Sequence, residues 1–191
     1  MVTDFWRPVE FNVRVSSLPD RGSRARAERV DVFHDGSSED DGWVFDTWRM
    51  RAFEVTGGGQ LEGWFSDPDA PEPLIGRIRI KRCPSGVDAD LDDLAALTPH
   101  AQGNVGLTEI LNLELEPAFL GQRLGDLLVR VALADVPSDD IIACQPRATE
   151  FSNVQLRESK SKVDAFYRRL GFVPDGRLPG YLTARRVDLL L

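Results

Sequence analysis

The stretch from Val105 to Cys144 constrains the fold more than any other. Val105 to Pro117, VGLTEILNLELEP, reads as one long strand. It stops at Pro117, since proline has no N–H to give to a sheet ladder. Alternation puts Glu109, Leu111, Leu113 and Leu115 on one face and Ile110, Asn112, Glu114 and Glu116 on the other. So apolar a middle predicts a central strand, paired on both sides. Leu120, Leu124, Leu127, Leu128 and Val131 then mark an amphipathic helix whose stripe runs through Ala134 and ends at Val136-Pro137. Gly121 and Gly125 sit at its start. Asp139 to Cys144, DDIIAC, is a second strand of the buried type.

The next informative stretch is Lys160 to Pro174, KSKVDAFYRRLGFVP. Val163, Phe166, Tyr167 and Leu170 fall on one helical face. Ser161 with Asp164 three residues on predicts a capped start. Arg168 and Arg169 suit the negative end of the helix dipole. Gly171 stands where a left-handed cap is wanted. Phe172-Val173 leads into a short strand, and Tyr181 to Leu191 reads as the last one. Strand, helix, strand, helix, strand is an α/β order.

The front half is plainer. Phe11 to Val15 alternates as a strand, and Arg21 to His34 is split between helical and strand signals. Asp35 to Gly42 reads as a polar acidic loop, and Trp43 to Val55 as a strand with a break near Arg49-Met50. Gly57 to Gly59 is a turn, Gln60 to Phe65 a short strand, and Ser66 to Pro73 a loop. Leu74 to Cys83, LIGRIRIKRC, is a half-exposed strand. Pro84 to Asn104 carries one helical turn near Asp88 to Leu97. No repeat or linker divides the 191 residues, so one domain is expected, burying about two-thirds of its unfolded surface.

Composition removes several function classes. Two histidines and two cysteines (Cys83, Cys144) are too few and too scattered for a metal centre or a disulfide framework. Cys144, at a strand end, reads as a small buried hydrophobe. Two cysteines, no membrane-length apolar run and no signal-like start predict a cytoplasmic chain. The net charge of −8 is uneven: residues 1–144 carry 14 Lys/Arg against 26 Asp/Glu, and residues 145–191 carry 9 against 5. An acidic body disfavours phosphate-backbone partners, so no nucleic acid and no membrane are expected. It suits a cationic amine, and the basic tail suits a phosphorylated cofactor. A charge balance of this kind equally serves solubility alone.

AFYRRLGFVPDG, Ala165 to Gly176, resembles the closing motif of the GCN5-related N-acetyltransferase (GNAT) family. The resemblance spans roughly Val105 to Tyr181. It implies a mixed, mostly antiparallel sheet flanked by helices, acetyl-CoA as acyl donor, and acetyl transfer to a primary amine of a small molecule or protein. It makes Tyr167 the acid that protonates the departing thiolate. Glu109 is the first candidate base and Glu114 the second, with water as the route where neither serves. Burial beside Leu111 and Leu113 would raise such a glutamate's pKa.

In that family a loop of pattern Q/R-x-x-G-x-G/A, three residues past a proline, receives the coenzyme's diphosphate on helix N-terminal amides. Counting from Pro117 places it on Leu120, Gly121, Gln122, Arg123, Leu124 and Gly125, with Asp126 next. Leu120 stands where Gln or Arg is expected and Arg123 replaces the middle glycine. Arg123 either contacts phosphate or blocks the loop. A backbone N–H near Leu115 would meet the oxyanion, Ser152 and Asn153 the coenzyme, and Arg157, Lys160 and Lys162 its adenosine phosphates. The degenerate loop leaves a second reading open, a non-catalytic acyl-CoA-binding or interaction module. A homodimer is left open as well.

Overall fold

The structure, a computed structural model, describes residues 13–14, 26–40, 43–56, 74–83, 105–116, 119–146, 153–176 and 178–191. The elements run β1 (Val13–Arg14), β2 (Arg26–Asp40), β3 (Trp43–Thr56), β4 (Leu74–Cys83), β5 (Leu107–Leu115), α1 (Leu124–Ala132), β6 (Ile141–Cys144), α2 (Asn153–Arg169), β7 (Val173–Pro174), β8 (Leu182–Arg185) and a 3-10 turn at Arg186–Asp188. The strands form one eight-stranded sheet in the order β1-β2-β3-β4-β5-β6-β8-β7. β5 and β6 are parallel, while β1 with β2, β6 with β8 and β7 with β8 are antiparallel. The fold is mixed α+β with a mostly antiparallel sheet, as the family resemblance implies. β5 lies between β4 and β6, the doubly paired place its composition calls for.

By internal contacts the chain divides into two compact units. The first takes Met1–Gly36, Asp46–Ile78 and Asn112–Ala132; the second takes Ser37–Phe45, Arg79–Leu111 and Leu133–Leu191. In the first, Leu124, Leu128 and Val131 turn the stripe of α1 inward, and all three are buried. Gly76 of β4 is what lets the helix come close. A Cβ there would stand 2.8 Å from Leu115 Cδ2 and 3.0 Å from Leu128 Cδ1. In the second unit Trp43, Cys83, Leu107, Ile141 and Ala143 form an apolar cluster, with Phe45, Val105, Leu178 and Tyr181 packed against it. The parallel pair is started by Asp140, whose buried carboxylate accepts the Gly106 amide at 2.8 Å. A Cβ on Gly106 would meet that carboxylate at 2.6 Å, so a larger residue there would displace the Asp140 side chain.

Several expectations change. β2 continues to Asp40, so the acidic loop expected over Asp35 to Gly42 is strand through Asp40. Residues 35–40 are exposed throughout, so pairing with β3, not burial, sets that backbone, and no alternation marks it. β3 runs unbroken past Arg49-Met50. α2 begins at Asn153, eight residues before the expected Ser161 cap. The segment Gln155 to Lys162 is made of good helix formers without an apolar period, so a pattern search passes over it. α1 begins at Leu124, leaving Leu120 outside the helix and 48% exposed.

The two faces of β5 are unequally buried. Ile110 is buried at 3% exposure, whereas Leu111 is 40% exposed. Leu111 therefore does not bury a neighbouring glutamate. The last strand is only Leu182–Arg185, because the chain then turns in a 3-10 helix and sends Leu190 N–H to the carbonyl of Leu170 at 2.9 Å. The strand expected at Gln60 to Phe65, its flanking turn and loop, and the helical turn near Asp88 to Leu97 lie outside the described residues. Among the described residues no helix is long and apolar enough to cross a membrane, and no three His, Cys, Asp or Glu cluster as metal ligands.

Candidate active site

In the second unit the site begins where a parallel ladder stops. Leu107, Thr108, Glu109 and Ile110 pair with Ile141, Ile142, Ala143 and Cys144. β6 ends at Cys144, while β5 continues to Leu115. The sequence places the end of this strand at Cys144, where it is found.

Tyr167 is fixed near Cys144 by the way α2 closes. The Phe172 amide bonds back to the Tyr167 carbonyl at 3.2 Å, and the Gly171 amide to that of Arg168 at 3.0 Å. Gly171 takes φ +101, and a Cβ there would stand 2.9 Å from the Asp188 carbonyl, so only glycine fits. This cap carries an apolar contact between its first and last members, here the Tyr167 and Phe172 rings at 5.4 Å and 77°. Phe166 packs edge-on from the other side at 5.0 Å. The spacing Tyr-x-x-x-Gly-Phe is thus a helix terminus that locks one phenol, 5% exposed, in place.

That burial, and then the neighbouring Cys144, push the Tyr167 phenol above its ordinary value of 10.0, so it keeps its proton at neutral pH. Burial likewise raises the Cys144 thiol, with Glu109 and then Asp164 adding to the shift. Cys144 is therefore a neutral buried thiol, not a nucleophile. Glu109, half-buried on β5, accepts a hydrogen bond from the Tyr181 hydroxyl at 3.3 Å. Tyr181 was not singled out in the sequence, where it is only the first residue of a strand 72 positions away.

In the first unit the strand-to-helix turn has the sequence-predicted parts in a changed setting. Glu116 N–H closes onto the Ile75 carbonyl at 2.8 Å, and Phe119, fully buried, anchors the turn through its bond to the Glu116 carbonyl at 2.9 Å. Gly121 is exposed at φ +86, and Arg123 takes φ +60. The position where the family pattern has glycine is therefore one whose backbone would choose glycine. Arg123 acts as the helix N-cap: its carbonyl accepts from Asp126 at 3.1 Å and Leu127 at 3.3 Å. The amides of Leu124 and Gly125 lie ahead of these bonds, in the first turn of α1. The Arg123 side chain is 73% exposed and its Nε meets Asp126 Oδ2 at 3.0 Å. Gln122 is half-buried, and the side chain of Leu124 belongs to the core.

Glu114 lies in this same unit. Its carboxylate pairs with Arg77 at 2.8 Å and accepts from the Asn112 side-chain amide. Leu115 is half-buried beside Gly76. Glu116 is 8% exposed and its Oε2 has no hydrogen-bond partner among the described residues, so burial raises its pKa. Asn153 opens α2 and Arg157 and Lys160 lie within it; Lys162 is exposed on it; Ser152 lies outside the described residues.

No family model matches the sequence, and no curated protein matches it. Among solved structures, the chain is similar to a tyrosine-to-phenylalanine mutant of KacT at 14% identity and TM-score 0.42, over 74% of this chain and 71% of that one. It is similar to a mutant AtaT toxin bound to the C-terminus of the antitoxin AtaR and acetyl-CoA at 15% identity and TM-score 0.41, over 74% and 68%. AtaT complexed with acetyl-methionyl-tRNAfMet aligns at 15% identity and TM-score 0.42, over 74% and 71%.

Proposed function

We propose that this chain is an acetyl-CoA-dependent N-acetyltransferase of the GNAT type, acting directly on a primary amine without a metal. The observation that carries the reading is the end of the β5–β6 ladder at Ile110 and Cys144, with Tyr167 locked next to Cys144 as a protonated phenol. The coenzyme, when bound, supplies an activated acyl carbon and a thiolate leaving group. Among the residues of the first unit, the amides of Leu124 and Gly125 and the open backbone at Gly121 fit a diphosphate, as helix N-terminal amides do.

In the second unit Glu109 is assigned the amine's proton and Tyr167 the hydrogen bond or proton given to the sulfur as the C–S bond breaks. Glu114 is the second candidate, because Arg77 and the Asn112 side-chain amide already occupy its oxygens. The backbone amide near Leu115 keeps the oxyanion role, and Ser152, Asn153 and Lys160 the coenzyme-binding roles, that the family resemblance gives them.

The test is calorimetry with acetyl-CoA, followed by assay of free thiol release across an acceptor panel. Because two of the aligned structures contain nucleic acid, a KacTA–DNA complex and AtaT complexed with acetyl-methionyl-tRNAfMet, the panel holds an aminoacyl-tRNA beside small amines and peptides. Binding with thiol release supports the reading, and no binding removes it. One observation favours a second reading, an acyl-CoA-binding module without turnover: Arg123, paired with Asp126, sits at the helix N-cap. Binding without thiol release for any acceptor would select it.

A further inference from the structure

We infer that the acceptor amine carries a negative group of its own, a carboxylate or a phosphate a few bonds from the nitrogen, and that Lys81 and Arg79 receive it; the inference rests on the acetyltransferase reading. Contacts along β4 and β5 set the two strands antiparallel. The Glu116 amide meets the Ile75 carbonyl and Arg77 pairs with Glu114 towards one end, and Cys83 packs with Leu107 at the other. Counting back from Cys83 and Leu107 brings Lys81 alongside Glu109, with Arg79 one pleat further along β4. Alternation puts Lys81 and Arg79 on the face of Cys83, and Glu109 on the face of Leu107. These are one face, because Cys83 and Leu107 share a cluster. The partner of Glu109 in β6, Ala143, belongs to that cluster, and so does the packing of the Tyr181 ring whose hydroxyl reaches Glu109.

Both cations are seated on aromatic rings of β3. Lys81 Nζ stands 3.9 Å from the centroid of Trp43, and the Arg79 guanidinium carbon 5.1 Å from that of Phe45. A ring face holds a cation from one side by its quadrupole. Each cation keeps N–H donors on the side away from its ring. Arg79 is exposed and Lys81 half-buried, so solvent reaches them. Among the described residues, neither is bound to a carboxylate. The third charge of this end of β4, Arg82, lies on the opposite face and acts on Asp140. Glu39 and Asp40 of the same unit are exposed at the outer end of β2, and Glu109 is bonded to Tyr181. Adjacent strands lie about 4.8 Å apart, so an amine at Glu109 brings a group a few bonds away within reach of Lys81. Two fixed cations beside the base select an acceptor that answers them.

The experiment pairs acceptors that differ in the negative group alone: β-alanine against β-alaninamide, and 2-aminoethyl phosphate against ethanolamine. Thiol release with acetyl-CoA gives kcat and KM for each, and saturation-transfer NMR with coenzyme A present gives binding. The parent should favour the anionic member of a pair by at least about tenfold in kcat/KM, carried by KM, as one charge-assisted hydrogen bond is worth. Preference in the first pair makes the group a carboxylate, and preference in the second a phosphate. Lys81→Gln and Arg79→Gln should each erase most of that preference, whereas Lys81→Arg, which keeps a cation over Trp43, should retain it. Circular dichroism checks that each variant folds, and Lys81→Met, which keeps the apolar stem on Trp43, replaces a glutamine variant that does not. Equal kcat/KM within both pairs overturns the inference and leaves the acetyltransferase reading standing. A preference that survives Lys81→Gln combined with Arg79→Gln places the anion elsewhere and overturns it too. Thiol release with aminoacyl-tRNA while no small acceptor binds overturns it in favour of a nucleic-acid acceptor. Absence of thiol release with every acceptor removes the acetyltransferase reading, and the inference with it.

Discussion

At the scale of single residues, the chemistry rests on groups whose protonation the fold has set. Burial holds the Tyr167 phenol protonated, so it enters any reaction as a donor. Tyr167→Phe is expected to lower kcat by about 10²-fold or more, the usual worth of a positioned acid, with acetyl-CoA affinity unchanged by calorimetry. Cys144 and Cys83 are buried and are not joined in a disulfide. Iodoacetamide at pH 8 should leave both unlabelled in the native state and label both in denaturant, read by intact mass.

Glu116 gives a pH effect of definite sign. Its folded pKa is raised above 4.5 by burial, so the folded state holds the proton more tightly than the unfolded chain. Its contribution to stability therefore falls as pH rises from 4.5 through the folded value. Glu116→Gln should melt like the parent near pH 4 and above it at pH 7. Residue roles of this kind are only partly written in sequence. Tyr167 was legible because a helix cap is local. Tyr181 was not, because its partner is 72 positions away and nothing near it differs from any strand start. Glu109 came from the family resemblance, while the Arg77 partner of Glu114 came only with the β4–β5 pairing.

At the scale of elements, two left-handed positions make opposite predictions. Gly171 needs its φ of +101 and has the Asp188 carbonyl against it. Gly171→Ala should cost at least about 1–2 kcal/mol in denaturant unfolding, and should loosen Tyr167 with it. Arg123 holds φ +60 without a glycine's freedom. Arg123→Gly should gain up to about 1 kcal/mol in the same experiment, since the exposed pair with Asp126 that it loses is worth less than the strain it relieves. A loss of stability would mean that the pair, or the side chain's packing, matters more than the backbone.

Elements with a strong period were readable: β4 matches its expected bounds, and the buried stripe of α1 matches from Leu124 on. The outer half of β2 and the first half of α2 were not readable. In β2 pairing alone sets the backbone, and in α2 propensity without an apolar period does so.

At the scale of the whole molecule, the element order gave only an α/β arrangement and the family resemblance the mostly antiparallel sheet, while the place of β5 followed from its composition. The ends of β5 and β6 were readable too, but the parallel register that sets Leu107 opposite Ile141 and Ile110 opposite Cys144 was not. Ligand linkage is the property that tests the whole. Acetyl-CoA at about a hundredfold excess over its dissociation constant should stabilise the chain by about 2.7 kcal/mol, seen as a rise in melting temperature. Coenzyme A should do the same if the diphosphate amides carry the binding, whereas acetate should not.

The sequestered sulfurs of Cys83 and Cys144 have a practical consequence. A chromogenic disulfide reagent added to a running reaction would develop colour from the liberated coenzyme alone, leaving the native polypeptide a silent background. Slow acceptors can then be followed continuously for hours, without a blank that drifts.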